Sequence, residues 1–174
     1  QKGTHQISTV VSGMNQLSSG QYTSHETCEL HTILDNCLAI LHYHLSGRIK
    51  VEKSYTDEQL LISGNPGQLH QAFISIMINA VQAISVSGTI RILTHKDDFR
   101  SYIQIQDTGC GIDELNLAHV TDPFFTTKEP GKGSGLGLSI TYTIIKNHGG
   151  DLVLESTKGE GTNVRITLPL INRL

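Results

Sequence analysis

Residues 65–84 read Asn-Pro-Gly-Gln-Leu-His-Gln-Ala-Phe-Ile-Ser-Ile-Met-Ile-Asn-Ala-Val-Gln-Ala-Ile, and the fold is read outward from this stretch. The Asn65 side chain can accept from the unpaired N–H groups of a helix start. Pro66 suits the first helical position, where its missing N–H has no partner to lose. At about 100° per residue, Leu69, Phe73, Ile76, Ala80 and Ile84 form one apolar stripe. Gln71, Ser75, Asn79 and Gln82 fall on a second, polar stripe interrupted by little except Ile78. Asn79 therefore sits among polar neighbours beside a buried face.

Downstream, Thr89–Thr94 and Tyr102–Gln106 alternate as a strand pair with its turn near Asp97 and Asp98. A further helix is expected over Leu136–Asn147, stopped by Gly149 and Gly150. Strands Asp151–Ser156 and Asn163–Leu168 follow, joined by a glycine turn at Lys158–Gly161. Upstream, Leu60–Ser63 and Arg48–Tyr55 read as strands. Ile33, Leu34, Cys37, Leu38 and Leu41 share a helical face, preceded by an extended piece around Cys28–Leu30. The first eighteen residues look helical, with Ile7, Val10 or Val11, Met14 and Leu17 at three-to-four spacing, and Ser18–Thr23 reads as a linker. Helices and antiparallel-looking strands in mixed order favour a two-layer α+β sandwich over a doubly wound parallel sheet.

The 174 residues make one domain, or one domain plus a short flanking piece. A charged fraction of 17% and a net charge of −3 exclude a disordered acidic tail and a basic nucleic-acid clamp. No apolar run approaches the roughly 20 residues that cross a bilayer, and the N-terminus lacks a signal-peptide layout. Cys28, Cys37 and Cys110 are odd in number and widely spaced, which points away from a disulfide framework or zinc site and towards a reducing compartment. The chain reads as soluble and cytoplasmic, with a membrane anchor left open for the full-length protein and no nucleic-acid partner.

Glycine numbers 17, and six of these lie between Gly109 and Gly137. Four constellations lie in and before this stretch. The Asn79 carboxamide offers a hard oxygen of the kind magnesium accepts, although an asparagine within a helix is by itself usually only solvated. Asp107-Thr108-Gly109-Cys110-Gly111-Ile112 ends a strand; its carboxylate can accept from an exocyclic amine such as that of adenine, and its glycines allow a sharp turn beside a flat ring. Asp122-Pro123-Phe124-Phe125-Thr126-Thr127-Lys128 places two aromatics in a loop, where they call for a docking surface. Gly131-Lys132-Gly133-Ser134-Gly135-Leu136-Gly137-Leu138 runs directly into a helix, so that alternate glycines and the helix's positive end make a nest of amides for phosphate. Each also has an ordinary structural explanation, a turn or a small satellite core.

In order and content, the four together resemble the ATP-binding catalytic domain of two-component sensor histidine kinases, within the superfamily that includes gyrase, the ATP-dependent heat-shock chaperones and mismatch-repair ATPases. Asn79 matches the N box, Asp107, Gly109 and Gly111 the first glycine box, Phe124 and Phe125 the F box, and Gly133, Gly135 and Gly137 the second glycine box. The resemblance covers about residues 24–171, and Gly159-Glu160-Gly161-Thr162 looks like the family's last hairpin. It implies a Bergerat-type sandwich, a mixed and mostly antiparallel sheet backed by three helices, with ATP between the helices and a mobile lid. Asp107 would then bind the adenine amine and Asn79 would hold magnesium. Gly133, Ser134, Gly135, Leu136 and Gly137 would wrap the phosphates, with Lys128 or Lys132 nearing the terminal one. Ala83, Ile112 and Leu138 would line the pocket, and Thr162 would support its adenine end.

The resemblance also divides the chain, residues 1–20 being the end of a dimerisation and phosphoacceptor helix and 24–174 the catalytic domain. Two departures stand out. One turn before Asn79 the family often has Asn in the kinases or Glu in the hydrolysing relatives, and here Ser75 offers no carboxylate base for water. Phosphoryl transfer, which asks mainly for positioning and charge neutralisation, survives that change better. None of the nine histidines has the acceptor context, so the chain reads as a fragment cut after the acceptor helix, and no residue is singled out as catalytic. The expected partners are the histidine-bearing dimerisation domain of the full-length chain and a response-regulator receiver domain. A Ser/Thr kinase of the same superfamily and a non-catalytic nucleotide-binding module remain as alternatives.

Overall fold

The computed structural model describes residues 25–45, 47–128 and 133–171. The expected leading helix, the linker after it, the dimerisation piece assigned to residues 1–20, and Lys132 lie outside the described residues. Asn65 caps as its sequence predicts. Its backbone is extended (φ −93°, ψ 113°), and its side-chain oxygen accepts from the Gln68 N–H at 3.0 Å. The chain runs β1 (Glu26–Glu29), α1 (Leu30–Leu45), β2 (Ile49–Ser54), β3 (Leu61–Gly64), α2 (Pro66–Ala83), β4 (Gly88–Lys96), β5 (Arg100–Asp107), α3 (Glu114–Leu117), α4 (Gly137–Asn147), β6 (Asp151–Thr157) and β7 (Gly161–Pro169).

α2 is the helix around which the rest is laid. All five residues of its expected stripe are buried, and so are Ala72, Ile74, Met77, Ile78 and Val81, because α1 and α4 flank it while the sheet lies beneath. Between Gln71 and Gln82, only the row Gln71, Ser75, Asn79 and Gln82 stays half-buried. Ile78 is thus part of the core.

Five strands form one sheet in the order β2-β4-β5-β7-β6, and β1 and β3 make a separate antiparallel pair. Every contact in the large sheet is antiparallel except β2 against β4, which are parallel with Ile49 opposite Gly88. The segment between those two strands contains α2, the kind of long crossover that a parallel pair needs. Along β5, Ser101, Ile103, Ile105 and Asp107 turn inward and are buried, while Tyr102, Gln104 and Gln106 lie on the other face. That alternation, apolar towards the helices and polar away, is the pattern of a sheet covered on one side. The structure is therefore the expected two-layer α+β sandwich, with three long helices on one face.

His148 is an ordinary core histidine. Its ring accepts from the Asn65 N–H at Nε2 (3.0 Å) and donates from Nδ1 to the Ile144 carbonyl (2.7 Å), tying the end of α4 to the start of α2.

The turn between β6 and β7 brings the chain back against β5. A Cβ on Gly161 (φ +106°) would lie 2.0 Å from the Asp107 carbonyl oxygen, whereas one on Gly159 (φ +87°) would meet nothing within 4 Å. Gly159→Ala is expected to cost about 1 kcal/mol, the backbone conformation alone. Gly161→Ala adds a clash with rigid backbone and should cost about 3 kcal/mol. Urea unfolding of both variants measures the difference.

Candidate functional site

The first glycine box leaves the end of β5 at the mouth between sheet and α2. Asp107 is buried, with Ile90 of β4 and Thr162 of β7 as its strand neighbours. One carboxylate oxygen accepts from the Gly109 N–H at 2.7 Å. Burial lifts its carboxyl above the ordinary aspartate value, partly offset by backbone N–H donors from Gly109 and Thr162. Thr108 accepts at Oγ1 from the Thr89 N–H (2.9 Å), and the Cys110 N–H donates to the Ala83 carbonyl (3.0 Å), so the box is stitched to β4 and to the last turn of α2. Gly109 lies against that turn, since a Cβ there would fall 2.5 Å from the Ala83 Cβ.

The far side of the box is held by the last hairpin. The Ile112 N–H donates to Ser156 Oγ (2.8 Å), whose hydroxyl donates to the Gly161 carbonyl (2.7 Å) and lies 3.0 Å from Thr162 Oγ1. The Gly159 N–H donates to the Cys110 carbonyl (2.7 Å), and Gly111 packs against the Thr157 carbonyl. Thr162 therefore supports the Asp107 end through backbone and hydroxyl.

The other glycine box approaches α2 from above. Gly135 has φ +67° and sits directly on the Phe124 backbone, and the Phe124 N–H donates to the Gly135 carbonyl at 2.9 Å. Ser134 Oγ accepts from the Leu136 N–H at 3.3 Å. Gly137 opens α4 over Ser75, where a Cβ would lie 2.8 Å from Ser75 Oγ. Leu136 and Leu138 are half-buried at the same helix start. The two phenylalanines divide. Phe125 is half-buried, near the His119 ring at 5.9 Å, while Phe124 is 74% exposed with a positive φ of 68°. Only Phe125 can anchor the segment on the body.

Lys128 reaches across to α2, where its ammonium donates to Asn79 Oδ1 at 3.2 Å and to Gln82 Oε1. The structure thus gathers Asn79, Ala83, Asp107, Gly109, Gly111, Ile112, Thr162 and Lys128 around the C-terminal half of α2, with Gly133 beside the Lys128 stem and Gly137 over Ser75. Gln82 belongs to no sequence box, yet its place three residues after Asn79 puts it on the same helical face. Ser156 carries no sequence signal, because its role depends on which strands meet.

Residues 64–172 match the family described as histidine kinase-, DNA gyrase B-, and HSP90-like ATPase. The chain belongs to that family. Sporulation kinase C of Bacillus subtilis (strain 168) is 34% identical over 166 residues, 94% of this chain and 38% of that protein. The signal transduction histidine-protein kinase AtoS of Escherichia coli (strain K12) is 33% identical over 166 residues, 94% of this chain and 27% of that protein. The chain therefore spans well under half the length of these relatives. Among solved structures, the mycobacterial sensor histidine kinase MprB superposes with a TM-score of 0.75 at 26% identity, covering 84% of this chain and 97% of that one. The catalytic domain of histidine kinase ThkA does so at 0.74 and 26%, covering 83% and 98%.

Within this ATPase family member, Asn79 suits magnesium on the chemistry of its donor. Its carboxamide oxygen already takes a cation, the Lys128 ammonium, so it faces the site and is oriented for positive charge. Among the described residues no cluster of three or more His, Cys, Asp or Glu offers a dedicated cage. Magnesium commonly takes only one or two protein oxygens beside substrate phosphates and water.

Asp107 carries a stability consequence. A carboxyl whose value is raised on folding keeps its proton to higher pH than in the unfolded chain. Its stabilising contribution is complete below the ordinary aspartate range and is lost as pH rises through the raised value. Asp107→Asn, which can still accept from Gly109, should be at least as stable as wild type at pH 7. The gap should shrink as pH falls towards 4, as measured by urea midpoints across that range.

Proposed function

We propose that this chain is the catalytic domain of a sensor histidine kinase, binding ATP with magnesium and donating the terminal phosphoryl group to a histidine elsewhere in its full-length protein. The observation that carries this reading is the convergence on one helix end of a buried carboxylate, a hard carboxamide oxygen, a lysine and two glycine-rich turns. Asp107 would accept from the adenine amine, with Ala83 and Ile112 against the ring. The amides from Gly133 to Gly137 and the start of α4 would meet the phosphates, and Lys128 would approach the terminal one. Magnesium, held through Asn79, would neutralise phosphate charge. The acceptor imidazole nitrogen attacks the terminal phosphorus, its bond to the bridging oxygen breaks, and ADP leaves with that oxygen. Ser75 offers no base for water, which favours transfer over hydrolysis. A regulator's aspartate would then receive the group from the histidine, on the cytoplasmic side.

Asp107→Asn should weaken ATP binding by about 1.5–3 kcal/mol, as for hydrogen bonds to charged groups, and blunt the preference for ATP over GTP. Calorimetry on the folded variant measures both, and unchanged affinity would remove the assignment. Asn79→Ala should abolish the gain in nucleotide affinity on adding magnesium while leaving the fold intact; an equal gain in variant and wild type would make Asn79 structural.

Transfer itself is tested with labelled ATP and the histidine-bearing domain. An acid-labile phosphate on that domain is the expected product. Label on serine would mark the Ser/Thr kinase alternative, and no label the nucleotide-binding module.

A further inference from the structure

Lys128 makes a contact that the reading above does not require. A lysine kept only for a distant phosphate could extend into solvent, yet this one folds back onto α2. Its ammonium shares two carboxamide oxygens three residues apart, Asn79 Oδ1 at 3.2 Å and Gln82 Oε1. The stem is steered to that position. The Lys128 N–H donates to Thr126 Oγ1 at 3.1 Å, and Gly133 lies so close that a Cβ there would come within 3.1 Å of Lys128 Cδ. The result is a single positive charge seated on the oxygen that suits magnesium.

Two cations on that one oxygen disfavour each other. An ammonium and a dication a few ångströms apart repel, and the carboxamide's lone pairs are better satisfied by the smaller, doubly charged ion. We infer that Lys128 is a latch: its ammonium holds the cation position on Asn79 and Gln82, pinning residues 122–128 to α2, until metal-bound nucleotide displaces it. Release then frees the same side chain for the phosphates, so entry of the metal and repositioning of the segment are one event. Gln82 gains a role as the second acceptor of the latch.

This inference rests on the reading of Asn79 as the magnesium residue. ADP is the right probe, because it lacks the terminal phosphate and any contact of Lys128 with that group drops out. In Lys128→Met, which keeps most of the stem and loses the charge, the gain in ADP affinity on adding magnesium should grow about fivefold, the scale of an exposed charge contact. Amide exchange over residues 122–128 of the nucleotide-free protein should quicken in Lys128→Met and also in Gln82→Leu, which leaves the lysine in place. A magnesium gain that does not grow in Lys128→Met, or exchange unchanged in both variants, would overturn the latch. A wild-type chain with no magnesium gain would overturn the latch and the reading of Asn79 together.

Discussion

The packing of α2 is the constraint on which the structure depends. Flanked by α1 and α4 with the sheet beneath, the helix buries nine of its residues and between Gln71 and Gln82 leaves only a narrow polar row uncovered. A helix so enclosed cannot rotate without driving Gln71 or Asn79 into the core, where an unpaired polar group costs heavily. The position of Asn79 is therefore set by Phe73, Ile76 and Met77, residues buried in the core. Flanking elements are referred to the same helix: His148 fixes α4 against the Asn65 turn, and Ser75 receives Gly137.

Around that helix the site is electrically divided. At the sheet end lies Asp107, a buried carboxylate raised by desolvation and compensated only by backbone donors. At the solvent end lies the Lys128 ammonium on two neutral carboxamides. A nucleotide fits this polarity, with a base that can donate at one end and an anionic chain at the other. Burying this carboxyl costs stability as pH rises through its raised value, a cost found more often at functional sites than in ordinary cores.

Much of this is legible in the sequence because its signals are local. The Asn65-Pro66 cap, the α2 stripe, the strands about Asp97, and the glycine boxes all lie within a few residues of what they specify. The Asp97 turn is a case in point, its carboxylate accepting from the Phe99 and Arg100 N–H groups at 2.8 and 2.7 Å. What the sequence hides is pairing at a distance. The parallel match of Ile49 with Gly88 has no local mark, since alternation reads the same in either direction. Ser156 is invisible for the same reason. Phe124 and Phe125 look alike as letters, and only the close approach of Gly135 turns one of them outward. The four-residue α3 is too short to show periodicity.

The strand order also governs when the surroundings of Asp107 can form. β7 lies between β5 and β6, so the central strand gains its second neighbour only from Gly161–Pro169, far along the chain from Asp107. During synthesis, α2 and the β4–β5 hairpin leave the ribosome first, with one edge of β5 unpaired. Such an edge can pair with another chain, and long-range strand pairings form slowly. The floor around Asp107 is completed only when Gly161 and Thr162 arrive, so a nascent chain ending before them would carry most of the sequence boxes and still lack the strand that closes around that carboxylate.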